Sequence, residues 1–555
     1  MSADEYVTTR IAELHEELKK IEADLEAYTL QMRRLDYKAI KDAMLAISKK
    51  LKEASKVAPS DSTAALMILI DVNKDIKAIK PLTDESLPVE TRGIWVDNVT
   101  MRNIRTRSDV ERFFDEMAYI NINFVIVDAY NNGAATYPSK VAAEHDESQI
   151  YDGDVLKDII EVAHSKNMEV HTLINTFGVG TGINYFMDEK MAWLDKTKYD
   201  KFTGTSGHYW ISPIIPEARE YVMAILKELV LEYDIDGIQL DYVRYDPEFG
   251  YNEYARELYK SLFGIDPFDI TLKNDIDSFT VFKTQFVNKF VERAFYELKA
   301  LKPDLLLSAS VGAPYIWYKL DLGQDWATWT QNRNISFICP MSYTRDTDAY
   351  RRMAVSDLNS LKGTGYIFTG LGVWLCDEYG LQDQISAART TAIGGQVVFS
   401  SANMKAADYP VLQAGIWSEP AIPTLRDPEY AAYAMLIDLI DRITEFRPDL
   451  KVNNKLLDSY LTTLGQIRLA VENLDIRDWD TKDLRESSES EIAQLEPIIS
   501  SLQNLSNKVK ADVNKGVITF LTGERIMVEL SKVSNLLEPL LYTAKPFVYV
   551  STSWL

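Results

Sequence analysis

The amino-acid sequence predicts an α/β fold in which a (β/α)8 barrel is flanked by α-helical, coiled-coil-like regions. Short apolar runs alternate with helical stretches between residues 92 and 423, and the regions on either side have helical periodicity with few glycines or prolines. Strands alternating with helices over about 330 residues are typical of parallel (β/α)8 barrels. Hydrophobic residues make up 46% of the 555, which supports a large packed core. We therefore divide the chain into residues 1–88, 89–425 and 426–555.

Residues 1–88 have the pattern of long helices. Apolar side chains alternate steps of three and four residues there, at Ile11, Leu14, Leu18, Ile21, Leu25, Tyr28, Met32 and Leu35. This is the spacing of a coiled-coil seam, although apolar helix stripes more often pack inside one molecule. Residues 426–555 repeat the pattern, for example at Ile492, Leu495, Ile499 and Leu502. Because chain termini often lie close together, we expect the N- and C-terminal helices to form one antiparallel bundle. The alternatives are that they pack on the barrel or join copies of the chain into a homo-oligomer.

The predicted barrel strands are eight short apolar runs. They are residues 93–99, 124–130, 169–176, 237–243, 305–312, 336–343, 366–374 and 396–402. The competing architecture, a doubly wound open sheet, usually has fewer strands and a glycine-rich turn after the first. The residues after the first run, Asp97-Asn-Val-Thr-Met, contain no such turn, so the sequence favours the barrel.

The composition argues against several classes of function. A net charge of −23 and a pI near 4.8 are the opposite of the basic surface that binds nucleic acids. The apolar runs are too short to span a membrane, the two cysteines and five histidines lack metal-ligand spacing, and we expect no cofactor. The start, Met1-Ser-Ala-Asp-Glu, does not resemble a signal peptide, so we expect either a cytoplasmic protein or a chain whose signal has been removed.

Asp241 is the most informative residue of the predicted barrel. It ends the fourth run, Gly237-Ile-Gln-Leu-Asp241. A carboxylate at the end of a buried strand is costly unless it is paired or used. The carboxyl ends of barrel strands carry the catalytic groups of such enzymes, so Asp241 is a catalytic candidate. Acid–base catalysis by carboxyl groups needs a second member, for which the candidates are Asp128 on the second strand and Glu378 or Asp377 after the seventh.

Further polar and aromatic residues follow the predicted strands or lie in the long loop after the third. The substrate-binding candidates are Tyr137, His171, Asn175, Trp210, Tyr242, Arg244, Tyr245, Tyr343, Trp374 and Asp377. Aromatic faces pack on the C–H surfaces of sugars, and carboxylates and amides bind sugar hydroxyls. The expected ligand is therefore a polysaccharide or glycan.

Several motifs occur in order between about residues 92 and 403. They include Asn121-Ile-Asn-Phe-Val-Ile-Val, Glu169-Val-His-Thr-Leu-Ile-Asn175, Tyr233-Asp-Ile-Asp-Gly-Ile-Gln-Leu-Asp241 and Ile338-Cys-Pro-Met-Ser-Tyr343. In this ordered set the chain resembles the glycosyl-hydrolase-like family ten, bacterial TIM-barrel proteins. The fourth strand of that family usually ends in two adjacent aspartates, and here Tyr242 occupies the second position.

The resemblance implies a glycosidase that cuts a polysaccharide or a glycan strand, such as that of peptidoglycan, at the cell envelope or outside the cell. Asp241 also resembles the fourth-strand aspartate of α-amylase-like barrels, which implies a nucleophile. Two alternatives from other classes remain. One is a non-catalytic barrel that binds glycan, and the other is a cell-surface assembly protein that uses its helical regions.

Overall fold

The computed structural model describes residues 3–146, 148–181, 190–204, 206–271, 273–474 and 489–544. The chain begins with three helices, α1 (Ala3–Leu30), α2 (Tyr37–Val57) and α3 (Ser62–Ile79). Their apolar stripes face one another and bury side chains such as Leu14, Ile47 and Leu69 in a core of their own. Asp36 and Asp61 cap α2 and α3 by accepting hydrogen bonds from backbone amides of the first turn.

Eight parallel strands form the centre of the molecule. They are β1 (Thr91–Val96), β2 (Phe124–Asn131), β3 (Glu169–Asn175), β4 (Gly237–Asp241), β5 (Leu306–Gly312), β6 (Phe337–Met341), β7 (Thr369–Gly372, preceded by the short strand Tyr366–Ile367) and β8 (Gly395–Phe399). Each strand pairs with its sequence neighbours, and β8 pairs with β1. The sheet is therefore closed, and the predicted (β/α)8 barrel is confirmed.

The barrel interior is filled by side chains at alternate positions of the strands. Trp95, Ile126 and His171 lie side by side in register, with Gly237 next in the row. A Cβ at Gly237 would lie 2.2 Å from Nδ1 of His171, so this position leaves room for the imidazole ring. One level higher, Gln239 accepts hydrogen bonds from Nε1 of Trp95 (2.6 Å) and Oγ of Ser310 (2.8 Å).

Helices and loops surround the barrel. The helices are α4 (Asn98–Asn103), α5 (Arg107–Tyr119), α6 (Val155–Ser165), α7 (Pro216–Glu232), α8 (Glu253–Phe263), α9 (Lys273–Leu301), α10 (Tyr315–Leu322), α11 (Trp326–Gln331), α12 (Thr347–Leu361), α13 (Glu378–Arg389) and α14 (Asp408–Ala414). Their apolar faces pack on the outward-facing residues of the strands in the largest core of the molecule. Two short antiparallel strands, Gly178–Gly180 and Tyr209–Trp210, make a small ribbon above β3.

Four helices follow the barrel, namely α15 (Pro428–Phe446), α16 (Asn454–Glu472), α17 (Glu489–Asn514) and α18 (Phe520–Ala544). The helical character predicted for both flanking regions is confirmed. The two sets of helices have separate apolar cores that meet at the end of α1, where Met32 packs into the C-terminal core and Tyr37 contacts both. Across the ranges that the structure describes, no helix has both the length and the apolar character needed to cross a membrane.

Candidate active site

A cleft of about 200 Å³ opens at the carboxyl ends of the barrel strands. Its walls come from β1 to β4, from the ribbon above β3 and from the end of β8. The described residues that line it are Trp95, Val96, Asp97, Asn98, Ile126, Asp128, Asn131, Asn132, Leu173, Asn175, Gly178, Gly180, His208, Trp210, Asp241, Tyr242 and Phe399. The cleft therefore combines carboxylates, amides and aromatic rings at the face where barrel enzymes carry their active sites.

Three carboxyl groups, those of Asp97, Asp128 and Asp241, share this cleft. Asp128 is in register with Leu173 of β3, and Asp241 is in register with Asn175, two residues further along the same strand. Because side chains two residues apart on a strand point to the same face, Asp128 and Asp241 both point into the barrel mouth. One strand separates them.

Asp128 is the most buried of the three carboxyl groups. Only 9% of the residue is exposed, and its Oδ1 has no hydrogen-bond partner among the described residues. Burial raises the pKa of Asp128 to about 7, and the negative charges of Asp241 and Asp97 act in the same direction against the opposing effect of Asn131. A carboxyl group in this setting holds a proton near neutral pH.

Asp241 is partly exposed, but the surrounding protein desolvates its carboxyl group and raises its pKa to about 6. Two groups oppose this rise and favour the ionised form. The backbone N–H of Tyr242 donates to Oδ1 at 2.7 Å, and the positive charge of Arg244 lies nearby. Asp241 therefore ionises more readily than Asp128.

Asp97 has a different environment. Its Oδ1 accepts a hydrogen bond from the backbone N–H of Thr100 (3.0 Å), which caps α4, and its Oδ2 accepts one from the hydroxyl of Ser400. Both carboxylate oxygens are engaged, so the side chain is held in one orientation at the edge of the cleft.

Tyr242 turns back over Asp241 because its backbone adopts a left-handed conformation, with φ of 49°. Such a conformation costs about 1–3 kcal/mol for a bulky residue, which the surrounding contacts must offset. The ring packs against Trp210 at 5.5 Å between centroids, and the guanidinium of Arg244 covers both rings. A Cβ at Gly178 would lie 3.0 Å from Cγ of Tyr242, so the glycine leaves room for this stack.

Aromatic rings also follow β6, β7 and β8. Tyr343 contacts Trp374 (4.9 Å between centroids) and Phe399 (5.8 Å), and Phe399 contacts Trp95 (5.8 Å). The charge of Asp241 contributes to the raised pKa of Tyr343, after the larger effect of burial, which places this phenol in the field of the carboxylate. Aromatic rings therefore continue around the barrel mouth from the side that carries the carboxyl groups to β6, β7 and β8.

The sequence of residues 90–374 matches the model of the family described as glycosyl hydrolase-like 10. The chain belongs to this family. The resemblance inferred from the sequence motifs is thus confirmed.

Relatives in other organisms carry glycosyl hydrolase names. Glycosyl hydrolase YngK of Bacillus subtilis (strain 168) is 23% identical over 290 residues, which cover 46% of this chain and 54% of YngK. Glycosyl hydrolase DigH of Escherichia coli (strain K12) is 24% identical over 215 residues, which cover 33% of this chain and 48% of DigH. The chain spans about half the length of these relatives. Among solved structures, α-L-fucosidase isoenzyme 2 from Paenibacillus thiaminolyticus aligns over 59% of this chain and 49% of its own, with a TM-score of 0.47 and 17% identity.

In this glycosyl hydrolase-like 10 barrel, the carboxyl groups predicted after β7 lie elsewhere. Asp377 caps α13 by accepting a hydrogen bond from the N–H of Gly380 at 2.7 Å, and Glu378 is the first residue of that helix. Neither is among the described residues that line the cleft. This placement does not support a catalytic role for Glu378 or a substrate contact for Asp377.

Three of the predicted substrate-binding residues are buried away from the cleft. Tyr137 is fully buried, and its hydroxyl donates to Glu228 at 2.9 Å. Tyr245 is 2% exposed, and its hydroxyl donates to the carbonyl of Lys283 at 3.3 Å. His171 is fully buried below the cleft, where its ring packs on Phe124. These side chains fill the barrel and its wall, so their positions do not support direct contact with a substrate.

Five of the predicted site residues, Asp128, Asn175, Trp210, Asp241 and Tyr242, line the cleft, together with residues such as Asp97, Asn131, His208 and Phe399. Asp97 follows a strand, so the strand-end rule applied to Asp241 also points to it. His208 gave no such signal because it lies in a long loop. Across the described ranges, no group of three or more His, Cys, Asp or Glu side chains is arranged to hold a metal ion.

Proposed function

We propose that this protein is a glycoside hydrolase that cleaves O-glycosidic bonds of a polysaccharide or glycan strand with Asp128 and Asp241. The observation that carries the proposal is that these two carboxyl groups share one cleft and that their environments give them different pKa values. Glycosidases of this type require one protonated and one ionised carboxyl group beside the scissile bond. Membership of a glycosyl hydrolase-like family supports the same reaction class.

Asp128 is the general acid in this proposal, because burial and two neighbouring negative charges raise its pKa to about 7. Asp241 is the ionised partner, since the N–H of Tyr242 and the charge of Arg244 favour its carboxylate. Between about pH 6 and about pH 7 the pair holds one proton, which is the state that the reaction needs.

Hydrolysis then proceeds in a defined order. Asp128 donates its proton to the glycosidic oxygen as the bond from that oxygen to the anomeric carbon breaks. The positive charge that develops on the sugar is stabilised by the carboxylate of Asp241, which acts as nucleophile or as the base that activates water. Water supplies the hydroxyl group of the new reducing end. Its proton goes to Asp128 when Asp241 is the nucleophile, or to Asp241 when Asp241 is the base, and exchange of protons with solvent then restores the starting state. In this proposal Asp97 and Asn175, which line the same cleft, bind hydroxyl groups of the sugar.

The test is a digestion screen read by mass spectrometry, with purified bacterial cell-wall glycan strands, chitin, cellulose and xylan as substrates. Wild-type protein should release oligosaccharides from at least one polymer. Asp241→Asn and Asp128→Asn should each lower kcat by about a thousandfold or more at pH 6, with circular dichroism spectra that show both variants folded. Glu378→Gln is the matched control, because this carboxyl group lies outside the cleft, and it should retain wild-type turnover.

Wild-type activity in Asp241→Asn would overturn the assignment. Tight glycan binding by the wild-type protein with no product from any polymer would instead identify a non-catalytic glycan-binding barrel. We also propose an extracellular or cell-envelope location, because structural glycan polymers lie mainly outside the cytoplasm. Fractionation of the native host, followed by immunodetection of the protein, checks this placement.

A further inference from the structure

Helix α10 presents large apolar side chains to solvent at the carboxyl face of the barrel. Ile316, Trp317 and Leu320 are 60%, 47% and 58% exposed. They lie within one helical turn of each other and form a continuous patch. Apolar residues of a surface helix normally face the core, and contiguous exposed patches mark binding surfaces.

The patch is held in a fixed position by the opposite face of α10. The ring of Tyr318 lies over the end of β5, where a Cβ at Gly312 would approach the ring to 1.9 Å. Leu322 is buried, and its carbonyl accepts a hydrogen bond from the N–H of Tyr245 at 2.9 Å. The hydroxyl of Tyr315 donates to Asp325. Trp317 is therefore exposed on an anchored helix.

Trp317 is also continuous with the aromatic side of the cleft. Its ring packs edge-on against Tyr318 at 4.8 Å between centroids. Tyr318 covers Gly312 at the end of β5. Gly312 is in register with Met341 at the end of β6, and Tyr343 lies two residues after Met341. Tyr343 contacts Trp374, which is 42% exposed. We call Trp317, Tyr318, Tyr343, Trp374, Phe399 and Trp95 the aromatic arc.

We propose that Trp317 is the stacking platform of a distal sugar subsite, so that a glycan chain reaches from the carboxylates across the aromatic arc to α10. This inference rests on the proposed function and names its substrate class as a chain of several sugar units. Exposed indole faces suit the C–H faces of sugars. The acidic side of the cleft holds the unit that reacts, and the exposed rings of the arc, Trp374 and Trp317, hold units further along the chain.

The charges around α10 favour a glycan over a membrane surface. Peripheral membrane helices combine an apolar face with several cationic side chains. Lys319 is the only cation in the sequence of α10, and its Nζ pairs with Asp325 at 3.1 Å. The remaining charged residue of the helix is Asp321. A neutral chain of sugars needs no cationic side chains for its binding, so the charges of α10 suit a glycan better than an anionic membrane surface.

The test compares short and long ligands in Trp317→Ala, Trp317→Phe and the wild-type protein. The probes are a dimer and a hexamer from each of the chito-, cello- and xylo-oligosaccharide series, together with cell-wall glycan strands. We expect Trp317→Ala to lower kcat/KM for the longer chain by about five- to tenfold through KM, with no change for the dimer. Trp317→Phe should recover part of the loss. Tyr119→Ala removes a ring of similar exposure from the outer surface of the barrel (54%) and should change neither value.

Binding measured in Asp241→Asn by affinity electrophoresis separates the two proposals. Suppose that the wild-type protein cleaves nothing, but that adding Trp317→Ala to Asp241→Asn weakens binding of the hexamer. This result would support the platform and contradict the hydrolase. Cleavage that is equally sensitive to Trp317→Ala for dimer and hexamer, or insensitive for both, would overturn the platform alone. The platform is also overturned if wild-type protein binds none of the probes, or if Trp317 instead controls binding to phosphatidylglycerol–phosphatidylcholine vesicles.

Discussion

At the residue scale, the surroundings of Asp128 couple catalysis to stability. An aspartate in an unfolded chain has a pKa near 3.9, whereas burial first, and then the charges of Asp241 and Asp97, raise the pKa of Asp128 to about 7 in the fold. The stability that its protonated form contributes is therefore fully present below about pH 3.9. It is lost as the pH rises from there through about 7, because over this range the unfolded chain ionises while the folded site still holds its proton.

Asp128→Asn should consequently stabilise the protein at alkaline pH. The amide stays neutral at every pH, so we expect the free energy of unfolding to rise relative to wild type by on the order of 2 kcal/mol more at pH 8 than at pH 4. Urea unfolding followed by circular dichroism at the two pH values measures this. Asp42→Asn removes a carboxyl group whose side chain is 63% exposed, and it should show no comparable difference. An equal effect of Asp128→Asn at both pH values would contradict the raised pKa.

Residue types at strand ends predict where the site lies better than they predict which side chains belong to it. Asp241 and Asp128 were selected because they lie at or near the carboxyl ends of barrel strands, and the structure brings both to one cleft. Tyr242 and Tyr245 look alike in sequence. Only the left-handed backbone at Tyr242 turns its ring into the cleft, while Tyr245 points into the wall and is 2% exposed. Side-chain direction after a strand end depends on backbone angles that residue type does not reveal.

At the scale of elements, the apolar runs located the strands but not their ends. The run at residues 237–243 ends as a strand at Asp241, because the next residue leaves the extended conformation. The run at residues 366–374 contains a break at Phe368 and finishes as the 3-10 helix Val373–Leu375. That short helix carries the chain away from the barrel mouth, which is why Glu378 begins a helix and does not line the cleft.

The close packing of β4 predicts that Gly237→Ala destabilises the barrel. The new Cβ would lie 2.2 Å from Nδ1 of His171 and 2.5 Å from the carbonyl oxygen of Leu306, which belongs to the backbone of β5 and cannot rotate away as a flexible side chain can. Overpacking of this kind costs about 1–3 kcal/mol or more. Thermal unfolding measures the loss. Gly465→Ala is the matched control, because nothing lies within 4 Å of its Cβ position in α16, and removing a helical glycine should stabilise by about 0.5–1 kcal/mol.

At the scale of the whole molecule, a buried ionic junction joins the barrel to both sets of flanking helices. Its centre is Glu85, in the segment between α3 and β1, which is 5% exposed. Arg442 of α15 and Arg525 of α18 both pair with its carboxylate. Arg389 of α13 donates to its backbone carbonyl at 2.5 Å and pairs with Glu90 at the start of the barrel. Charge patterns in the sequence gave no sign of this junction, because its members are far apart along the chain.

The junction makes stability fall in acid. Burial alone would raise the pKa of Glu90, but Arg389 and Arg92 outweigh it and lower the pKa to about 2. The same balance, with Arg525 and Arg442 as the opposing charges, lowers the pKa of Glu85. The stability that these carboxylates contribute is present above the unfolded pKa of about 4.3 and is lost as the pH falls towards 2.

Arg442→Met should therefore loosen the C-terminal helices from the barrel. The substitution keeps an apolar stem but removes the charge that pairs with Glu85 and the donor to the carbonyl of Met32 (2.8 Å). Breaking a buried pair from one side costs up to about 3–5 kcal/mol when the remaining charge has no other partner, and the loss here should be smaller because Arg525 still pairs with Glu85. Since the barrel and the helices have separate cores, we expect calorimetry to show an earlier transition for the helices and a later one for the barrel.

The control is Lys38→Met, which breaks a pair between side chains that are 88% and 63% exposed. It should change stability by less than about 0.5 kcal/mol. A single transition shifted no further than in Lys38→Met would mean that the apolar contacts alone hold the two parts together.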